Sequence, residues 1–190
     1  MGTTSPRFRS PWLAAYAQGN KEKTLASYLQ LTKKPPGILS LRFKLATLYN
    51  ELNQPEKAIQ ELQAILALQR SDYVLNELAS TYLEKLNSPK EALKFALQAS
   101  KINANNENVQ FTLADTYYQL GDYRKSNSLY QEVAKKVAGN SSFYNKVAEA
   151  ALKIGNNDRA AIYFEKALST GQNFPERVSA EKQLQTLLYQ

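Results

Sequence analysis

The sequence of 190 residues contains no cysteine and no histidine. A chain without thiols or imidazoles forms no disulfides, has no thiolate nucleophile or imidazole base, and offers few ligands to zinc or other transition metals. These two absences exclude most enzyme mechanisms. Neither a glycine-rich phosphate loop nor a paired-carboxylate motif supports catalysis by the remaining residue types. We therefore predict a protein without catalytic activity, bound metal or cofactor.

Glycine and proline are scarce, with seven of each. No hydrophobic run approaches the roughly 20 residues that a membrane-spanning helix needs, and residues 1–10 lack the apolar stretch of a secretory signal. Hydrophobic residues make up 43% and charged residues 22% of the chain, a balance typical of an ordered protein. The sequence predicts a soluble protein, cytoplasmic or, in a bacterium, periplasmic. It leaves open whether a signal or anchor was removed from an excised domain.

Acidic residues are nearly missing from the first 44 positions, where Glu22 is the single anion. Eight cations lie in this segment: Arg7, Arg9, Lys21, Lys23, Lys33, Lys34, Arg42 and Lys44. The rest of the chain is neutral, with 16 residues of each sign. This asymmetry indicates either a solvated basic flank or an anionic neighbour such as a lipid or polymer surface. Nucleic acid is not favoured, because no basic stripe interleaved with aromatic residues continues from the segment.

A pattern of small and aromatic residues recurs about every 34 residues, and such a period is typical of helical repeat arrays. Its clearest copy contains Leu113-Ala114, Tyr117, Gly121, Ser126 and Tyr130. Related copies hold Leu45-Ala46, Tyr49 and Ala58; Leu78-Ala79, Tyr82 and Ala92; and Val147-Ala148, Gly155 and Ala160. Within each copy the apolar positions have the spacing of two successive amphipathic helices.

These residues resemble the tetratricopeptide repeat, a unit with a small residue at position 8, tyrosine at 11, glycine near 15 and alanine at 20. The resemblance implies an all-α, right-handed solenoid of tandem antiparallel helix pairs, with about eleven helices, that holds partner proteins. We predict an N-terminal tail at 1–10 and a single array over 11–190. The array comprises a degenerate unit at 5–38, units at 39–71, 72–106, 107–140 and 141–174, and a capping helix at 175–190.

The repeat register makes two further predictions, one for the extra residue of the second unit and one for the last helix. The second unit is one residue longer than the repeat, and we expect the extra residue in the turn Asn87-Ser88-Pro89, where an insertion costs little. The last helix is amphipathic, and we expect its apolar side, formed by Val178, Leu184, Leu187 and Leu188, to cover the final unit. The alternative is that this helix begins a longer array.

The first helix of each unit is expected to line the concave side, so its positions 2, 5, 6, 9 and 12 are candidate partner contacts. Position 5 alternates between rings and carboxamides: Phe43, Asn76, Phe111 and Asn145. We predict that the rings bind apolar side chains of a partner segment and that the asparagines bind its backbone. Alternatively, the two rings pack between adjacent first helices. The other candidates are Lys44, Tyr73, Asp115, Tyr118 and Lys146, although polar residues at positions 6 and 9 are expected to be solvated.

The family members that clamp the acidic tails of heat-shock chaperones use a lysine at position 5 and asparagines nearby, and no unit here reproduces that set. Asp115 and Glu149 at position 9 would repel a carboxylate. The predicted function is a non-catalytic scaffold or adaptor, of the assembly-factor type, that binds a protein or peptide. The alternative is a peripheral protein that docks on anionic lipid or polymer through its basic N-terminal unit.

Overall fold

The computed structural model describes residues 20–32, 39–171 and 173–189. All regular structure in these segments is helical, and they contain no strand. The α-helices are α1 Lys21–Thr32, α2 Leu39–Glu51, α3 Pro55–Leu68, α4 Asp72–Ser80, α5 Pro89–Ile102, α6 Glu107–Gln119, α7 Tyr123–Lys136, α8 Ser141–Lys153, α9 Asn157–Ser169 and α10 Arg177–Leu188. A π-helical segment, Thr81–Lys85, continues α4. The short helix expected to begin at Ser10-Pro11 lies outside the described residues.

From residue 39 onward, pairs of helices are joined by three-residue turns. Each turn contains one residue with positive φ: Asn53 at 56°, Asn87 at 46°, Gly121 at 81° and Gly155 at 77°. Glycine adopts this backbone without steric cost and asparagine tolerates it, which explains why glycine recurs near position 15. The two helices of each pair pack together, successive pairs stack, and α10 packs on α9. The predicted all-α solenoid is confirmed.

The two helices of each pair pack through small residues at positions 8 and 20. The positions are Ala46 and Ala58, Ala79 and Ala92, Ala114 and Ser126, and Ala148 and Ala160, each at most 1% exposed. Since these side chains are short, the helix backbones approach closely. The larger buried side chains of Leu62, Tyr130 and Phe164, all at position 24, fill the adjoining space.

The extra residue of the second unit lies in a helix, and the prediction that it lies in the turn is wrong. The turn 86–88 has three residues, like the turns of the other units. The Ser88 amide donates to the carbonyl of Tyr82, at 2.8 Å, whereas the equivalent amide of Asp122 reaches Tyr117, one residue nearer in sequence. The extra residue is therefore taken up between Tyr82 and Ser88, where the wider π-helical turn holds one residue more than an α-helical turn.

Helix α10 covers the last pair with a narrower apolar face than the sequence predicted. Ala180 is buried, and Leu184 and Leu187 pack against the core of the final unit. Val178 and Leu188, expected on the same face, are 78% and 61% exposed. Residues 180, 184 and 187 follow one helical row, and positions 178 and 188 lie off that row.

We expect Ala114→Leu to lower the free energy of unfolding by about 1–3 kcal/mol, because a larger side chain overpacks a well-filled core. Ala114 is fully buried and lies in one cluster with Tyr130 and Val133 of α7. Urea denaturation followed by circular dichroism measures the change. An unchanged midpoint would show that Ala114 does not lie at the helix contact.

Ser126 occupies position 20, which faces Ala114, and its replacement is expected to have the opposite effect on stability. Its hydroxyl is buried and has no hydrogen-bond partner among the residues that the structure describes, and the other three units from residue 39 have alanine at this position. Removing an unpaired buried hydroxyl relieves a desolvation cost. We therefore expect Ser126→Ala to leave the unfolding free energy unchanged or to raise it by up to about 1 kcal/mol. A clear loss of stability in the same urea assay would contradict this expectation.

Candidate functional site

Two recesses lie at equivalent places in the repeat, two units apart. The first, of about 210 Å³, is lined by Leu39, Ser40, Phe43, Ile65, Gln69, Ser71, Tyr73 and Val74. The second, of about 440 Å³, is lined by Glu107, Asn108, Phe111, Val133, Val137, Ala138, Gly139, Asn140, Ser142, Phe143 and Lys146. Each recess is formed by the start of one first helix, the end of its paired helix and the start of the next first helix. Each has the position-5 phenylalanine in its wall.

Both phenylalanines are partly buried and contact the next first helix. The Phe43 ring stacks on Tyr73, with centroids 4.7 Å apart, and Tyr73 is itself 52% exposed. The Phe111 ring packs against Phe143 at 5.7 Å, and the Lys146 ammonium lies 4.9 Å from its centroid. The rings thus take part in packing between adjacent first helices, and they also border open recesses. Their role in partner binding stays a prediction.

Asp115 is a buried charge, although polar residues at position 9 were expected to be solvated. The residue is 7% exposed, and its carboxylate accepts a hydrogen bond from the Tyr130 hydroxyl and pairs with the Lys146 ammonium at 2.5 Å. Burial, and then the charge of Asp115, raise the pKa of Tyr130 above its usual value. A buried carboxylate requires such partners. The neighbouring first helix covers this position, and the same correction applies to Thr112 at position 6, which is also buried.

The two asparagines at position 5 are also recessed, and they do not stand free in a groove. Asn76 is 7% and Asn145 is 2% exposed. The Asn145 amide nitrogen donates to Glu149 Oε1 at 3.0 Å. In the described segments, the side-chain oxygens of both asparagines are buried without a hydrogen-bond partner. Buried amide oxygens are rarely left unpaired, so these two positions merit a functional explanation.

A third cavity, of about 220 Å³, lies between α6, α7 and α8 beside the Asp115 ion pair. It is lined by Asp115, Tyr118, Gln119, Tyr130, Asn145, Lys146, Glu149 and Glu176. The Tyr118 hydroxyl donates to Glu149 Oε2 at 3.4 Å. Burial, and secondly the Glu149 charge, raise the pKa of Tyr118 to about 12. We call this cavity the acceptor cavity, because three carboxylates, those of Asp115, Glu149 and Glu176, lie in its wall.

The structure brings most of the predicted site residues together in two groups. Phe43 and Tyr73 meet at the first recess, whereas the second recess and the adjoining acceptor cavity bring together Phe111, Asp115, Tyr118, Asn145 and Lys146. Lys44 and Asn76 line none of these three cavities. In the acceptor cavity the sequence analysis missed Gln119, Tyr130 and Glu176 as site residues. Tyr130 had a signal, since its hydroxyl at an otherwise apolar position needs a buried partner.

The basic N-terminal segment lies largely outside the described residues. In the part that is described, Lys21 pairs with Glu51 at 3.1 Å and Arg42 with Glu61 at 2.8 Å. Docking on an anionic surface therefore stays a prediction. None of the described helices is long and apolar enough to cross a lipid bilayer.

From residue 39 onward the chain is a row of stacked helix pairs. This is the architecture of the α-helical repeat proteins. The family model for the tetratricopeptide repeat matches residues 13–73 and 111–177, well over half of the chain. The chain belongs to the tetratricopeptide repeat family. Proteins of this family are generally non-catalytic interaction scaffolds.

Several solved structures share this fold at low sequence identity. MamA has a TM-score of 0.73 and 21% identity, over 85% of this chain and 95% of that chain. YrrB, a TPR protein with an unusual peptide-binding site, has a TM-score of 0.69 and 17% identity, over 90% and 88%. A thermophilic TPR protein from Thermus thermophilus has a TM-score of 0.65 and 17% identity, over 94% and 96%. No curated protein sequence matches the chain significantly. Identities this low show the fold alone.

We expect Tyr130→Phe to destabilise the protein by about 1–3 kcal/mol, because it leaves one oxygen of the buried Asp115 carboxylate without its donor. Tyr118→Phe is the matched control, since its hydroxyl makes only a long bond of 3.4 Å from a half-buried position. The free energies of unfolding of the two variants, measured in urea, give the comparison. If the two variants lose the same free energy of unfolding, the hydrogen bond between Tyr130 and Asp115 has no special role in stability.

Proposed function

We propose that this protein is an adaptor that binds a segment of a partner protein along the row of its first helices. The observation that carries the proposal is the pair of equivalent recesses, each bordered by a phenylalanine at position 5. Each recess is large enough to receive an apolar side chain. Because the recesses repeat with the array, one extended or helical segment could contact both.

The composition of the recesses supports protein as the ligand. The first combines Phe43, Tyr73 and Ile65, and no charged residue lines it. Partly exposed aromatic rings over an apolar recess are typical anchors in protein interfaces. The peptide-binding site described for YrrB is a property of that protein, and it agrees with a peptide ligand for this fold. The assembly role considered from the sequence stays a prediction.

The test is to replace both rings, Phe43→Ala with Phe111→Ala, after a partner has been recovered by affinity purification from the native host. Loss of an anchoring ring typically weakens binding by on the order of 2 kcal/mol, about thirtyfold. We therefore expect the double variant to bind the recovered partner at least about thirtyfold more weakly. Isothermal titration calorimetry measures the affinity.

A matched control removes apolar side chains from the second helices of pairs. Leu97 on α5 and Ile162 on α9 are 45% and 51% exposed and lie outside the three cavities. The variant Leu97→Ala with Ile162→Ala should bind like the parent. Thermal melts must show that both double variants are folded at the assay temperature. If the folded phenylalanine variant binds as tightly as the parent, the row of first helices is not the partner site.

A further inference from the structure

The acceptor cavity has an excess of negative charge. Three carboxylates, those of Asp115, Glu149 and Glu176, line it together with one ammonium, that of Lys146. Asp115 and Lys146 neutralise each other at 2.5 Å. Neither of the two glutamates forms an ion pair in the parts of the chain that the structure describes. Two negative charges therefore face the cavity without a cation.

A buried amide oxygen supplies a second, independent sign of a missing donor. Asn145 is only 2% exposed, and it lines the acceptor cavity. Its nitrogen is fixed by donation to Glu149 Oε1 at 3.0 Å, so its oxygen cannot exchange places with the nitrogen without losing that bond. The oxygen has no donor among the described residues. A buried acceptor of this kind costs stability until a ligand supplies an N–H group.

From these contacts we infer that the acceptor cavity binds the guanidinium group of an arginine in the partner segment. This inference rests on the proposed function, because it names the chemistry of one side chain of the same partner. Glu149 and Glu176 supply the opposite charge, and the Asn145 oxygen accepts one N–H. The Tyr118 ring supplies an aromatic wall, which attracts cations.

Guanidinium fits the acceptor cavity better than ammonium does, for two reasons. The acceptors lie on three separate side chains, and arginine presents five N–H donors in a plane whereas lysine presents three on one atom. Guanidinium is also more weakly hydrated, so it loses less on entering a partly buried cavity. A metal ion is not the expected occupant, because no cluster of three carboxylates with metal-binding geometry occurs within the described segments.

The raised pKa of Tyr118 is consistent with this electrostatic environment. Burial and the Glu149 charge hold the phenol in its neutral form up to a pKa of about 12. The Tyr118 hydroxyl therefore remains a donor to Glu149 at neutral pH. The Glu149 carboxylate keeps free lone pairs for a ligand, since a carboxylate has about four acceptor sites and two are used here.

The experiment titrates the protein at low ionic strength with the peptide acetyl-Ala-Ala-Arg-Ala-Ala-amide and follows the side-chain amide of Asn145 by NMR. Peptides with lysine or citrulline in place of arginine are the controls; citrulline has the same shape without the charge. We expect a saturable shift of the Asn145 signals with the arginine peptide. The lysine peptide should bind more weakly, and the citrulline peptide should show no saturable shift. Equal binding of either control peptide, or no saturable shift with arginine, would overturn the assignment.

Two variants test the named carboxylates. Glu149→Gln and Glu176→Gln should each weaken binding of the arginine peptide about tenfold, because each removes a charge-assisted hydrogen bond. Glu176 is exposed, so its replacement does not threaten the fold. Glu165→Gln is the matched control, since it makes the same change of charge at an exposed site on α9 away from the cavity. If both Glu149→Gln and Glu176→Gln bind the arginine peptide as tightly as Glu165→Gln does, the inference is overturned.

The result of the peptide titration can be separated from the result of the experiment that tests the proposed function. If the peptide titration fails but the Phe43 and Phe111 variant still loses its partner, only the guanidinium assignment fails. If that variant keeps its partner, the proposed function fails whatever the peptide does.

Discussion

The close approach of two helix backbones at one pair of small residues sets the geometry of each unit. At positions 8 and 20 the side chains are alanine or serine, and all are at most 1% exposed. This contact fixes the distance between the paired helices, and the buried Tyr130 or Phe164 ring then fits the space beside it. Every unit from residue 39 repeats this contact, and each has a three-residue turn between its two helices. Two of these units have phenylalanine at position 5, and in each of them this ring borders a recess against the next first helix.

The junctions between units are chemically unlike, although their backbones are alike. At the first junction Phe43 and Tyr73 stack, and the recess is mostly apolar. Where the third and fourth units meet, Phe111 and Phe143 also pack together, and the partly exposed ion pair of Asp115 and Lys146 joins the helices as well. Lys146 lines both the second recess and the acceptor cavity. A partner that satisfied both proposals would carry an apolar side chain for the second recess and, beside it, an arginine for the acceptor cavity. At the first recess the same partner would need only apolar contacts.

The sequence allowed the helix pairs and the small residues at positions 8 and 20 to be predicted, because both depend on spacing within one unit. It did not allow the burial of Asp115 to be predicted, because that burial depends on Lys146, which lies 31 positions away and on another helix. The outward direction of Val178 was missed for a related reason. A short helix with scattered apolar residues has several faces that could be buried, and packing against α9 decides which face is buried. Whether Phe43 and Phe111 bind a partner depends on a second molecule, which a pattern in one chain does not describe.

The π-helical segment at Thr81–Lys85 has a consequence for the array as a whole. Adding one residue to an α-helix rotates all that follows by about 100° around the helix axis. Here the wide turn absorbs the added residue before Ser88, so α5 begins after a turn of the same length as in the other units. The insertion therefore lengthens the first helix of this unit by one residue and leaves the length of the turn that follows unchanged.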